Sequence, residues 1–472
     1  MIKVRGDWSH KTFDSNWIVI TEVCHRWRDV ALSTPILWTN VALTRPDGVK
    51  YMLELSKTAP FNVFLEIYHN AENLLPCVEL AMQHVDRASA VHLSYRYSDK
   101  ESERLSKTMV IPCRVPYLKE LCLEGSRLDV YQQPFASDLQ RHHVNYAPHL
   151  RHLTLEKVSL PNMTSFVTLE SLTFHGTLTM SIQELLDTLR LLCALRSLDL
   201  ELLEGNNDLI TKPTTTLHIP SLMNFHFAGD NSICATLVPS ISSSPQAYID
   251  IRAGSFGTFT NISRQYFGHD SKFGPPRTFA VYRNYGSFQI EGSSTNHHVE
   301  GIVVLKMNRR IGNRDFKGLL SQLNLHDVHQ LTITERCSES SLPYQGEEGG
   351  TSPVLFALSE LPQVETLELV GYGLLMAVAK FLSPRTLDAP SGTRDASFPS
   401  LRRLKLRRQF YDSDAYDEGR LFAETVESLV KRQVEGLAEL VELIVPGYRV
   451  LEEKLRDLES LRRPEVQLEL KT

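Results

Sequence analysis

Leu169-Glu170-Ser171-Leu172-Thr173-Phe174 and Leu195-Arg196-Ser197-Leu198-Asp199-Leu200 are two copies of one template. Each runs apolar, two spacers, apolar, one spacer, apolar. The last two apolar residues stand two apart, so an extended chain turns both to one face. The first stands three earlier and leads into that strand. The residue between the pair, Thr173 or Asp199, faces the other way.

The template recurs on both sides of this pair. Upstream it fits Leu118-Leu121-Leu123 and Leu150-Leu153-Leu155, with a weaker copy at Ala88-Val91-Leu93. Downstream it fits Leu222-Phe225-Phe227, Val328-Leu331-Ile333, Val364-Leu367-Leu369, Leu401-Leu404-Leu406 and Leu440-Leu443-Val445. The clear early copies are 32, 19, 26 and 27 residues apart, and the later intervals widen to 36, 37 and 39. A strand repeated at such intervals predicts α/β architecture: an irregular leucine-rich-repeat solenoid with parallel strands and outer helices. Cys122, Thr154, Thr173, Asp199, His226, Thr332, Glu368, Lys405 and Ile444 are expected on its concave face. Ser181-Ile182-Gln183-Glu184 is a capping box, and it opens a return helix through Leu185, Leu186, Leu189 and Leu192. Further helices are expected at Phe316–Leu323, Leu374–Phe381 and Leu421–Val434.

Three stretches interrupt the repeat. Residues 253–294 are rich in Gly, Ser and aromatics; alternation at Thr278–Tyr282 and Ser287–Ile290 predicts strands there. Ile249-Ile251 and Ile302-Val304 are candidate degenerate repeats. Residues 338–352 and 383–397 read as loops, and Tyr411–Glu418 as a short acidic loop.

The first 46 residues differ from the rest. Glu22 to Leu32 reads as one amphipathic helix with Val23, Trp27, Val30 and Ala31 on one side. Ser33-Thr34-Pro35 stops it, because proline disfavours helix at the residue before it, and Ser or Thr can cap the next turn. Leu37 and Trp38 then return to the apolar side. Beyond this module the pattern predicts a helix over 48–57 capped by Asp47, with Tyr51, Met52 and Leu55 near one side. Strands come next at 61–67 and 88–95, around a helix over 71–86.

The run Val23-Cys24-His25-Arg26-Trp27-Arg28-Asp29-Val30-Ala31, continued by Ser33-Thr34-Pro35-Ile36-Leu37-Trp38, resembles the second half of an F-box, as in the large fungal F-box-like families. The likeness continues more loosely through Thr39–Leu43 and Leu55–Pro60. The resemblance implies a module that docks a Skp-type adaptor and through it a cullin ubiquitin ligase. Val23, Trp27, Pro35, Leu37 and Trp38 are the positions that carry over as adaptor contacts. The family motif opens with a Leu-Pro-x-Glu-type helix, and Met1–Asn16 holds none, so the module is expected to be shortened or to begin outside this sequence. The implied function is that of a non-enzymatic substrate receptor. The same solenoid as an interaction scaffold without adaptor binding is the second reading.

Bulk properties exclude other classes. With 472 residues and 42% hydrophobic content the chain can bury a large core. A net charge of −6 gives no global attraction to nucleic acid or an anionic membrane. Seven scattered cysteines without a C-x-x-C read as reduced thiols of the cytosol or nucleus, with no zinc motif. No phosphate-binding loop occurs, and Gly254-Ser255-Phe256-Gly257 misses a nucleophile elbow by one residue. His142, His143, His149 and His152 cluster in sequence, with no other residues nearby that would complete a ligand set. No cofactor or metal is expected. The run Arg402–Arg408 puts Arg403, Lys405 and Arg407 outward from one strand, a candidate surface for an acidic target.

Overall fold

A computed structural model describes residues 19–43, 45–67, 74–95, 115–124, 147–157, 160, 166–203, 211–244, 246–269, 271, 273–283, 287–294, 301–307, 313–335, 353–359, 361–371, 374, 398–407 and 442–444. The chain is mixed α/β and its strands pair mostly in parallel. It divides into two compact units, one of Met1–Phe225 with Ser240–Ser243 and one of His226–Pro239 with Ser244–Thr472.

The first unit opens with helices α1 (Ile20–Val23) and α2 (His25–Ser33) and a 3-10 turn, Pro35–Trp38. The single helix expected over 22–32 is broken at Cys24, whose backbone is extended (φ −162°, ψ 166°). The two pieces are tied by Arg28 Nε, which donates to the Thr21 carbonyl at 2.7 Å. Thr34 precedes the turn, but its hydroxyl donates back to the Val30 carbonyl (2.6 Å) and does not cap forward.

Strand β1 (Asn40–Ala42) and helix α3 (Pro46–Ser56) come next, then β2 (Phe61–Ile67), α4 (Leu75–Met82) and β3 (Ala88–Tyr95). In α3, proline occupies the first turn and Asp47 lies inside it, not at the cap. Its inward residues are Val49, Leu53 and Ser56, whereas Tyr51 is exposed. The expected helix over 71–86 is shorter, ending at Met82 before a 3-10 turn at Val85–Arg87.

The template copies become β4 (Glu120–Glu124), β5 (His152–Glu156), β6 (Ser171–Thr177) and β7 (Ser197–Leu203), with α5 (Ile182–Arg190) between the last two. β1 to β7 pair in sequence order, all in parallel. The register aligns Val91, Leu121, Leu153, Leu172 and Leu198, and beside them Leu93, Leu123, Leu155, Phe174 and Leu200. All ten are buried. The leading leucines 118, 150, 169 and 195 are fully buried as well. A short parallel pair, β8 (Leu217–Ile219) with β10 (Ile241–Ser243), completes this unit; β9 (Asn224–Gly229) spans the division.

The predicted capping box is present. Ser181 Oγ accepts from the Glu184 amide at 3.2 Å, and the Ser181 amide donates to Glu184 Oε2 at 2.8 Å. Ser181→Ala is expected to cost about 1 kcal/mol, readable as a lowered denaturation midpoint. An unchanged midpoint would show that α5 is held by its buried leucines alone.

The second unit contains α6 (Asn231–Leu237), β11 (Tyr248–Ala253), α7 (Phe256–Phe267), β12 (Thr278–Arg283), β13 (Phe288–Ser294), β14 (Gly301–Met307) and α8 (Asn313–Leu320). β15 (Gln330–Glu335), α9 (Pro353–Leu358), β16 (Thr366–Val370), β17 (Arg403–Arg407) and β18 (Glu442–Ile444) complete it. Its strand order is β11-β14-β13-β12-β15-β16-β17-β18. β13 runs antiparallel to both neighbours; every other pairing in that series is parallel.

The expected strands at 278–282 and 287–290 therefore exist, joined to β14 as a meander. Helix α7 is an addition that the sequence reading did not place. It explains the aromatic content: Phe267 meets Phe279 edge-on (5.8 Å, 87°), and Phe259 meets Phe288 likewise (5.6 Å, 72°). Gly292 on β13 makes this approach possible, since a Cβ there would fall 2.4 Å from Phe267 Cε1. The degenerate pair in β14 is shifted by one: Val303 and Leu305 align with Ile249 and Ile251, in place of Ile302 and Val304. Helix α8 buries Phe316, Leu319 and Leu320, with Leu323 beyond its end, as the spacing predicts. The loops expected at 338–352, 383–397 and 411–418 and the helix at 421–434 lie outside the described residues, as do Leu440, Val445 and all of Leu374–Phe381 except the buried Leu374.

Candidate functional site

Two surfaces of the first unit concentrate unusual side chains. The first is the N-terminal helical segment. Trp38 is 2% exposed; its Nε1–H donates to the Ala31 carbonyl at 2.8 Å, and its ring meets Tyr51 edge-on at 5.8 Å. It ties the 3-10 turn to α2 on one side and to α3 on the other.

Most apolar residues around it turn outward. Val19, Val23, Trp27, Val30 and Ile36 are 53–72% exposed, and Leu37 is 39% exposed. Val19 and Val23 stand four apart, and Trp27 and Val30 three apart, so each pair shares a helix face. Only Ala31 of α2 is buried. The amphipathic expectation is thus inverted for most of this helix, because its apolar stripe does not face the core. Of the residues singled out from the sequence, Val23, Trp27 and Leu37 are surface groups. Pro35 starts the 3-10 turn, and Trp38 is a packing residue.

The second surface is the polar face of β3 to β7. Register sets two rows across it. One runs His92, Cys122, Thr154, Thr173, Asp199; the other runs Ser94, Glu124, Glu156, His175, Glu201. His175 sits between two carboxylates, with Nδ1 3.3 Å from Glu156 Oε1 and Nε2 3.4 Å from Asp199 Oδ1. The second contact is an ion pair without hydrogen-bond alignment. Burial alone would lower the imidazole's pKa, but the close approach and negative charge of Asp199 and Glu156 prevail and raise it to about 10. Reciprocally, the hydrogen bond from His175 holds the Glu156 carboxyl below the usual range. His175 is therefore a cation at neutral pH.

At the other end of the rows, His92 Nε2, Cys122 Sγ and Glu124 Oε1 lie 3.7 Å from one another, pair by pair. Among the described residues they form the one His/Cys/carboxylate group whose donor atoms all fall within 4.8 Å. Burial, with Glu124 and Glu156 adding charge, pushes the Cys122 thiol well up. It is no thiolate nucleophile as it stands.

The basic strand of the second unit behaves differently. Arg403, Lys405 and Arg407 do point away from the buried Leu404 and Leu406. However, Arg407 Nε is bound to Glu368 Oε1 at 2.9 Å, and Lys405 lies beside Glu368 in register. Much of the positive charge is answered within the sheet. Elsewhere in this unit, Lys306 Nζ binds Asp250 Oδ2 at 2.7 Å, and Arg283 stands 3.7 Å from the buried Glu335.

His149 and His152 are exposed, and His142 and His143 lie outside the described residues. The pairing of His92 with Cys122, and of His175 with two carboxylates, escaped the sequence reading. Its available signal was the template itself, which makes residues at equal offsets in successive copies neighbours. Among the described residues no helix is long and apolar enough to cross a membrane. No protein-family model matches the sequence, and no curated protein matches it.

Proposed function

We propose that this chain is a non-enzymatic substrate receptor of a Skp–cullin–F-box ubiquitin ligase. In this reading the helical segment at 19–38 docks the adaptor, and an irregular leucine-rich-repeat solenoid presents a target protein. The observation that supports it is the outward set of Val19, Val23, Trp27, Val30, Ile36 and Leu37 on α1, α2 and the 3-10 turn. Large apolar groups held outward by a buried anchor suit a protein partner, since water solvates them poorly.

The solenoid reading draws on the in-order parallel pairing of β1 to β7 and the buried apolar triplets. The polar rows would contact the target, and Arg403, Lys405 and Arg407 would contribute where Glu368 leaves charge uncompensated. Ubiquitin transfer would be the work of the partner-bound enzyme, favoured by proximity. Reduced thiols at Cys24, Cys122, Cys193 and Cys234 would accord with a cytosolic or nuclear setting.

The test is a pull-down of the chain with its host's Skp-type adaptor, comparing wild type with Trp27→Ala, Leu37→Ala and Pro35→Ala. Trp27→Ala is expected to weaken binding by roughly tenfold or more, as an exposed aromatic hot spot does, while its melting curve stays in place. A folded wild-type chain that captures no adaptor would overturn the receptor assignment and leave the scaffold reading.

A further inference from the structure

We infer that His92, Cys122 and Glu124 form a zinc-binding site on the polar face of β3 and β4. His92 and Cys122 are register partners, and Glu124 lies two residues along the same strand as Cys122, so all three project from one face. Their donor atoms mark a triangle with three edges of 3.7 Å. A point equidistant from its corners lies about 2.1 Å from each, the edge divided by √3. Zinc bonds to imidazole nitrogen and carboxylate oxygen span about 2.0–2.2 Å, and to thiolate sulfur about 2.3 Å. An ion slightly above the triangle's plane meets all three distances without backbone movement.

The donor set selects the metal. Nitrogen, sulfur and one carboxylate oxygen suit zinc, whereas calcium and magnesium take oxygen donors. Three protein ligands leave a fourth position on the surface side for water or a donor from a bound molecule. The His92 and Glu124 side chains, 17% and 26% exposed, are sheltered yet reachable from solvent. On binding, the Cys122 thiol gives its proton to solvent and the sulfur coordinates as thiolate.

A second observation points to the same place. Ser94, on the same face as His92 and opposite Glu124 in register, is 2% exposed. Its Oγ is buried without a hydrogen-bond partner among the described residues. A metal-bound water would supply one. This site is independent of the adaptor reading.

The experiment is titration of the full-length chain with Co²⁺ as a spectroscopic probe, then Zn²⁺ competition, with circular dichroism to verify folding. The wild type is expected to take up one equivalent and show a thiolate-to-cobalt charge-transfer band that Zn²⁺ abolishes. Cys122→Ser should lose the band, and His92→Ala and Glu124→Gln should bind roughly tenfold more weakly or worse, at least the loss seen for supporting residues of metal sites. His149→Ala, in the exposed histidine group, should bind as wild type. Absence of the band in a folded wild-type chain, or its survival in Cys122→Ser, would overturn the assignment.

Discussion

Trp38→Ala is expected to destabilise the N-terminal segment by about 3–5 kcal/mol, the range for truncating a buried tryptophan. The indole is 2% exposed and fills the space between α2 and α3. Its removal also strips the Ala31 carbonyl of its indole donor. Among the described residues few other buried groups hold this segment, since Ala31 is the only buried residue of α2. The loss should therefore appear locally. Amide exchange across 25–38 should accelerate strongly, while β4 to β7 keep their protection. On the proposed receptor reading, capture of the adaptor should fall with it, for want of a formed surface. Trp27→Ala supplies the contrast, because Trp27 is 53% exposed and its loss should change stability by less than about 0.5 kcal/mol. Unchanged exchange in Trp38→Ala would mean that other contacts order the segment.

The second large effect is a pH dependence set by His175. Its pKa in the folded chain is about 10, above the ordinary histidine value near 6.5. The folded state thus binds the proton more tightly than the unfolded state does. The resulting stability is complete below about pH 6.5 and is lost as pH rises through about 10. Its size is a few kcal/mol, moderated because the side chain is 28% exposed. Glu156 acts in the opposite sense: its depressed carboxyl pKa contributes above the ordinary value and is lost on acidification through the folded value. Glu201 and Lys157 are further charges around this histidine and its partners. Denaturant unfolding of wild type and His175→Gln near pH 6 and near pH 10 isolates the effect, since the other titrating groups are common to both. The two should differ most near pH 6 and converge at the alkaline end. Parallel profiles would show that His175 does not carry the charge assigned to it.

Sequence spacing made much of the first unit legible. A strand whose apolar residues sit two apart, preceded by one three earlier, has few other ways to bury them. Leu118, Leu150, Leu169 and Leu195 accordingly occupy equivalent buried places before β4 to β7. The features that stayed hidden required knowledge of neighbours. The break at Cys24 lies within a helical pattern that gives no sign of it; Arg28 bridging back to Thr21 is a tertiary detail. The one-residue shift in β14 arose because Ile302, Val303, Val304 and Leu305 are all apolar and periodicity cannot choose between phases. Helix α7 was obscured by Gly and aromatic residues that read as an irregular insert. The polar rows were legible as outward positions, yet His175 lies 19 residues from Glu156 and 24 from Asp199. Their meeting depends on register across three strands.

The reversed strand β13 changes how the second unit can assemble during synthesis. In the first unit β5 meets β6 through partners His152 and Ser171, 19 positions apart, soon after both leave the ribosome. β11 instead takes β14, and Tyr248 waits for Ile302, 54 positions later. Throughout that interval one edge of β11 is an open template for any passing strand. The meander closes on itself first, because its contacts are local. Only then can it be laid against β11, so the unit's most exposed moment falls within the first third of its translation and not at its end.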